Sequence, residues 1–74
     1  MDPGYVAPVV VVVNGDEVRV EAGSSVADLL IQLGLGEKWV LVERNAEPVR
    51  RADLATTGLA PNDRIELVRA VAGG

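Results

Sequence analysis

Five consecutive valines, Val9 to Val13, open the patterned part of the chain. β-branched residues favour extended backbone, and an unbroken apolar run suits a strand buried on both faces. A central strand is therefore predicted there. Asn14-Gly15 follows, a pair that tolerates the positive φ of a two-residue hairpin turn. The returning strand runs from about Glu17 to Glu21, with Val18 and Val20 facing one way and Glu17, Arg19 and Glu21 the other. The alternation gives the hairpin one core face and one wet face.

The period then changes. Ala22-Gly23-Ser24 breaks the strand, and Ser25 with Asp28 three residues later forms a capping box in which the shorter acid takes the third position. Val26, Leu29, Leu30 and Leu33 recur at i, i+3, i+4 and i+7, an apolar helical stripe of about two turns that reads as core. Gly34 is placed as the left-handed C-cap, with Leu35 as its hydrophobic closure.

After a loop at Gly36-Glu37-Lys38, Trp39 to Arg44 reads as another strand, Val40 and Val42 alternating with Leu41 and Glu43. Trp39 is expected on the rim of the core. Asn45-Ala46-Glu47 makes a tight turn, and Pro48-Val49 is a short edge piece, because proline donates nothing to a ladder. Arg50-Arg51 reads as solvated surface with a secondary claim to a binding role, since loops between rigid elements carry such residues. Ala52 to Gly58 gives a short helical turn, Leu59 an anchor, and Ala60-Pro61-Asn62-Asp63 a turn. The last strand has Ile65 and Leu67 inward, between Arg64, Glu66 and Val68.

The pattern stops at Ala70. Val71-Ala72-Gly73-Gly74 offers little side chain to bury, so residues 71–74 are predicted to form a flexible tail, residues 9–70 the domain, and residues 1–8, with Pro3, Gly4 and Pro8, a disordered N-terminal extension. A Gly-Gly end threads extended into a narrow partner tunnel and presents one functional group, the carboxylate of Gly74. Ionised at neutral pH, it is a poor electrophile until a partner activates it, most simply as a mixed anhydride with AMP. With glycine at roughly 7% of average usage, two final glycines arise by chance in about 0.5% of chains. The pair takes its meaning from what precedes it.

Composition narrows the chemistry. The 74 residues form a single small domain, of a size that buries only about 60% of its unfolded surface. With no cysteine and no histidine, disulfides, thiolate nucleophiles, the usual zinc sites and the commonest general base are absent. Hydrophobic residues are 49% of the chain but aromatics 3%, so aliphatic packing has to stabilise the fold. A net charge of -4 has the wrong sign for binding phosphate backbones, which argues against nucleic acid. No stretch reaches the length of a membrane span, the start lacks a signal-peptide pattern, and a cytoplasmic location is the expectation.

The order strand, strand, helix, strand, short strand, helical turn, strand describes an α+β layer of one mixed sheet of four to five strands with one main helix on one face. For the helix to cover the valine strand, that strand lies in the middle and the last strand pairs beside it in parallel. This is the β-grasp, or ubiquitin-like, arrangement.

At this point the sequence resembles the small ubiquitin-like sulfur carrier proteins, specifically the thiamine (thiazole) branch. The matching residues are Val13-Asn14-Gly15 followed by an acid, Ser25-Val26-Ala27-Asp28-Leu29-Leu30, Val40-Leu41-Val42-Glu43-Arg44-Asn45, Arg51, and Asp63-Arg64-Ile65-Glu66-Leu67-Val68 leading to Val71-Ala72-Gly73-Gly74. Ala46 departs from the family where glycine usually follows asparagine, Asn62 stands for a turn glycine, and Ala72 for a frequent third glycine.

The resemblance implies a covalent carrier with no catalytic residues of its own. A ubiquitin-activating-type (ThiF-like) adenylyltransferase uses ATP and magnesium to adenylate Gly74. Persulfide sulfur relayed from a cysteine desulfurase converts the adenylate to a thiocarboxylate, which donates sulfur to thiazole synthase (ThiG-like). The chain itself binds no cofactor and no metal. Gly73, Ala72 and Val71 would thread the tail, and strand parity leaves Val68 and Leu41 to dock the partner. Two other readings stay open: another carrier or modifier of the molybdopterin synthase small-subunit type, against which Arg69-Ala70 and the lack of phenylalanine count, and an interaction module whose tail is never activated.

Overall fold

The computed structural model describes residues 7 to 69. The five valines form β1 (Val9–Val13), which turns through Asn14-Gly15 into β2 (Asp16–Val20). Asn14 and Gly15 have φ of 48° and 89°, the two positive values that a turn matching the strand twist demands. The register pairs Val13 with Asp16 and Val9 with Val20.

The helix α1 (Val26–Gln32) starts at the predicted cap. Ser25 Oγ accepts from Asp28 N–H at 3.1 Å, while the Asp28 carboxylate accepts from Ser25 N–H at 2.9 Å. The next two donors are taken by the loop that precedes the last strand: Val26 N–H donates to Thr57 C=O at 2.9 Å, and Ala27 N–H to Leu54 C=O at 3.0 Å. The first-turn amides that a helix leaves orphaned are thus satisfied by the cap and by tertiary contacts. At the other end Gly34 sits at φ 73°, and Gly34 and Leu35 donate to Ile31 and Leu30 carbonyls, a Schellman closure.

Strands β3 (Val40–Arg44), β4 (Glu47–Val49) and β5 (Arg64–Arg69) complete a five-stranded mixed sheet in the order β2-β1-β5-β3-β4. β5 runs parallel to β1 and antiparallel to β3. The helix on one face of this sheet is the expected α+β, β-grasp architecture. The last strand, rather than the valine strand, occupies the middle position, and β1 is the interior strand beside it.

Val11, Val13, Val20, Val26, Leu29, Leu30, Val40, Val42, Leu54, Leu59 and Ile65 form the core. Leu29, Leu30 and Ile65 are essentially inaccessible to solvent, and each such side chain contributes about 1.5–3 kcal/mol of burial. Leu33 departs from the predicted stripe. It is the C-cap residue and lies at the margin of the core, 37% exposed; Ala27 is buried in the stripe instead. Trp39 belongs to a 3-10 turn at Glu37–Trp39, so β3 begins one residue later than predicted. The helical turn after β4 is another short 3-10 segment, Arg51–Asp53.

Candidate functional site

Every predicted site residue lies on, beside or beyond β5, so what holds this strand decides how the site is presented. β1 offers it only two ladder positions, Val12 with Arg64 and Val13 with Ile65, before turning away. The Asn14 side chain extends the pairing. Its Oδ1 accepts from Leu67 N–H at 2.8 Å and its Nδ2 donates to Leu67 C=O at 3.2 Å, so an amide side chain performs the role of the next strand residue.

The second hairpin repeats the device. Asn45 and Ala46, with φ of 52° and 70°, turn β3 into β4. Asn45 Oδ1 accepts from Arg64 N–H at 2.9 Å, and Asn45 N–H donates to Arg64 C=O at 2.7 Å. Both turn asparagines therefore grip β5, one at its start and one near its end.

Asp63 sits at the foot of the strand, 6% exposed. Its carboxylate accepts from Arg44 Nε at 2.9 Å, Asn45 Nδ2 at 3.1 Å and Ala60 N–H at 2.8 Å. Burial pushes its pKa up, but the hydrogen bonds from Ala60, Asn45 and Arg44, together with the Arg44 charge, outweigh it and hold the group below its ordinary value. A buried charge accepting three donors, one of them cationic, is satisfied rather than reactive. Asp63 is an anchor.

Val68 and Leu41, the predicted docking residues, are direct cross-strand partners between β5 and β3. They are 58% and 65% exposed, on the face away from α1. Next to them Glu66 faces Glu43, both exposed. Val71, Ala72, Gly73 and Gly74 lie outside the described residues. Among the described residues no group of three acidic, histidine or cysteine side chains converges to hold a metal ion, and no helix is long and apolar enough to cross a membrane.

The clamping roles of Asn14, Asn45 and Asp63 escape a reading of the sequence by periodicity. Asparagine at a two-residue turn is explained by its tolerance of positive φ, and that explanation hides the side chain's second task. The available signal is the repetition, since both tight hairpins put asparagine first.

A model of the ThiS family matches residues 5–74. The chain belongs to the ThiS family. Among solved structures, this ThiS-family chain is similar to a thiamine biosynthesis protein (ThiS) from Geobacter metallireducens, with a TM-score of 0.75 and 28% identity over 89% of this chain and 100% of the other. It is also 36% identical over 63 residues to a thiazole synthase of Paramagnetospirillum magneticum, and 38% identical over 61 residues to a thiazole synthase of Magnetococcus marinus. Those matches cover 85% and 82% of the ThiS-family chain but only 19% of each relative. The chain thus spans about a fifth of the length of these curated relatives.

Proposed function

We propose that this protein is the sulfur carrier of thiamine biosynthesis and that Gly74 is the carrying residue. The observation that carries the reading is the family match, which runs through the terminal Gly73-Gly74. The fold supports it: β5, the middle strand of the sheet, is the last described element, and its Arg69 is five residues before Gly74 in the sequence.

In this reading a ThiF-like adenylyltransferase supplies ATP and magnesium. The Gly74 carboxylate attacks the α-phosphorus of ATP, pyrophosphate leaves, and the acyl adenylate turns a poor electrophile into a good one. The terminal sulfur of a persulfide, charged by a cysteine desulfurase, expels AMP. Thiol reduction of the resulting acyl disulfide leaves the thiocarboxylate. A ThiG-like thiazole synthase then takes the sulfur, an association supported by the likeness of this chain to part of two thiazole synthases. The chain's share of the work is presentation: Gly73, Ala72 and Val71 thread the partner's channel, and Leu41 with Val68 docks the domain at its mouth. It is a carrier and not an enzyme.

The test is the intact mass after incubation with the adenylyltransferase, ATP and a sulfur source. Replacement of one oxygen by sulfur, abolished by deleting Gly74, is the expected result. An unchanged mass beside an adenylyltransferase active on another carrier would leave an interaction module as the better reading.

A further inference from the structure

Asn14 combines two properties that oppose each other. It precedes glycine in an exposed two-residue turn, and its side-chain amide is committed to Leu67, accepting from the N–H at 2.8 Å and donating to the C=O at 3.2 Å. The first property makes the amide labile. In water the backbone nitrogen after an asparagine attacks the side-chain carbon, and glycine, having no Cβ, gives that nitrogen the closest approach. Apart from its chain neighbours, no atom lies within 4 Å of the place a Cβ would take on Gly15, and no backbone hydrogen bond engages the Gly15 N–H among the described residues. The second property restrains the amide, because attack requires its carbon to swing from Leu67 toward Gly15.

The other asparagines lack this pairing. Asn45 stands first in its turn at a similar φ, 52° against 48°, and its amide is held by Arg64 N–H at 2.9 Å and Asp63 at 3.1 Å. It is followed by Ala46, whose methyl group crowds the attacking nitrogen. Asn62 precedes Asp63, whose N–H donates to Ala60 C=O at 3.1 Å.

We propose that Asn14 is a modification site, at which the chain loses an amide to water through a succinimide with Gly15, and that the clamp on Leu67 governs how fast this happens and what it undoes. The Gly15 nitrogen bonds to Asn14 Cγ, and ammonia leaves with the proton of that nitrogen. Water then opens the ring. Breaking the new bond gives aspartate at position 14; breaking the backbone bond gives isoaspartate, with the chain routed through the side chain and lengthened by a methylene. No atom is oxidised or reduced. At neutral pH neither product remakes the clamp. The aspartate presents an oxygen where Nδ2 met Leu67 C=O, and the isoaspartate does not fit the two-residue turn that pairs Val13 with Asp16. β1 pairs with β5 only as far as Ile65, so the strand from Leu67 onward loses its hold on that side. That this strand leads to a carrying residue rests on the carrier reading; the chemistry at Asn14 does not.

The experiment incubates the natural full chain and Ala46→Gly in mildly alkaline buffer, both folded and in guanidinium chloride, and follows the amide-to-acid mass gain in tryptic peptides. Trypsin separates the asparagines: Asn14 falls in residues 1–19, Asn45 in 45–50 and Asn62 in 52–64. In the natural chain conversion is expected at Asn14 far ahead of Asn45 and Asn62, and on the order of tenfold slower folded than unfolded, because two hydrogen bonds must open first. In unfolded Ala46→Gly, Asn45 is expected to convert as fast as Asn14. Amide exchange of the converted folded chain should show Leu67 accelerated and β3 unchanged. An Asn14 that keeps its amide in the folded chain, or that converts no faster than Asn45 in the natural chain, overturns the proposal. Equal rates folded and unfolded do so as well, as does a converted chain whose Leu67 amide stays protected. Failure of the carrier reading shows separately, as an unchanged mass of the natural chain in the sulfur-transfer assay.

Discussion

The side-chain amide of Asn14 lies in register with the backbone of Leu67, accepting from its N–H and donating to its C=O across 53 residues of sequence. Asn14→Gly keeps the positive φ but removes both bonds. At roughly 1 kcal/mol for a typical net hydrogen bond, local opening at Leu67 should become about fivefold more frequent per bond lost. Amide exchange by NMR reads this, with Leu67 accelerated and the β1-β2 ladder unaffected. If the Leu67 amide exchanges as in the natural chain, the clamp is not what holds the end of β5.

Asp63 links stability to pH. Its folded pKa lies below the ordinary 3.8, so ionised Asp63 favours the folded state. The stabilisation is present in full above the unfolded value, declines as pH falls below it, and is gone once pH passes the lowered folded value. Asp63→Ala should cost about 2–4 kcal/mol at neutral pH, because Arg44, Asn45 and the Ala60 N–H lose their shared acceptor. Urea melts at pH 7 and near pH 3 check this: the gap between natural chain and variant should narrow in acid.

Ala46 holds a φ of 70° at the second position of the β3-β4 turn, where a side chain costs about 1–2 kcal/mol. Ala46→Gly relieves that strain at some cost in unfolded-chain entropy. A net gain of about 0.5–1 kcal/mol should raise Tm by roughly 2–8 °C for a domain of this size. A Tm unchanged or lowered in calorimetry would show that the turn is not strained.

Val68→Asp places a charge in the centre of the exposed pair with Leu41. The side chain already faces solvent, so folding stability should change by less than about 0.5 kcal/mol. Adenylation with the partner enzyme should fall on the order of tenfold or more, through kcat/KM, as for a docking residue near an interface centre. Unaltered kinetics in a folded variant would remove Val68 from the docking surface.

Much of the architecture is legible without coordinates, because local chemistry dictates it. The valine run, the Asn14-Gly15 turn, the Ser25 and Asp28 capping box and the Gly34 closure each follow from constraints spanning a few residues. Strand parity likewise places Leu41 and Val68 on the outer face. Less legible are the ends of elements. Leu33 continues the helical period but falls at the cap, where the chain is already leaving the core, and Trp39 joins a tight turn that the alternation of β3 conceals.

The sequence by itself determined the strands and the helix, their order and the two-faced sheet, since turn chemistry, caps and apolar period act over short range. Only the tertiary structure decided that β5 takes the middle of the sheet and is gripped by asparagines from both hairpins, and that Asp63 is buried beneath it. These relationships join residues up to 53 positions apart. Such pairings come from closing the sheet and satisfying its buried polar groups, which no local pattern encodes.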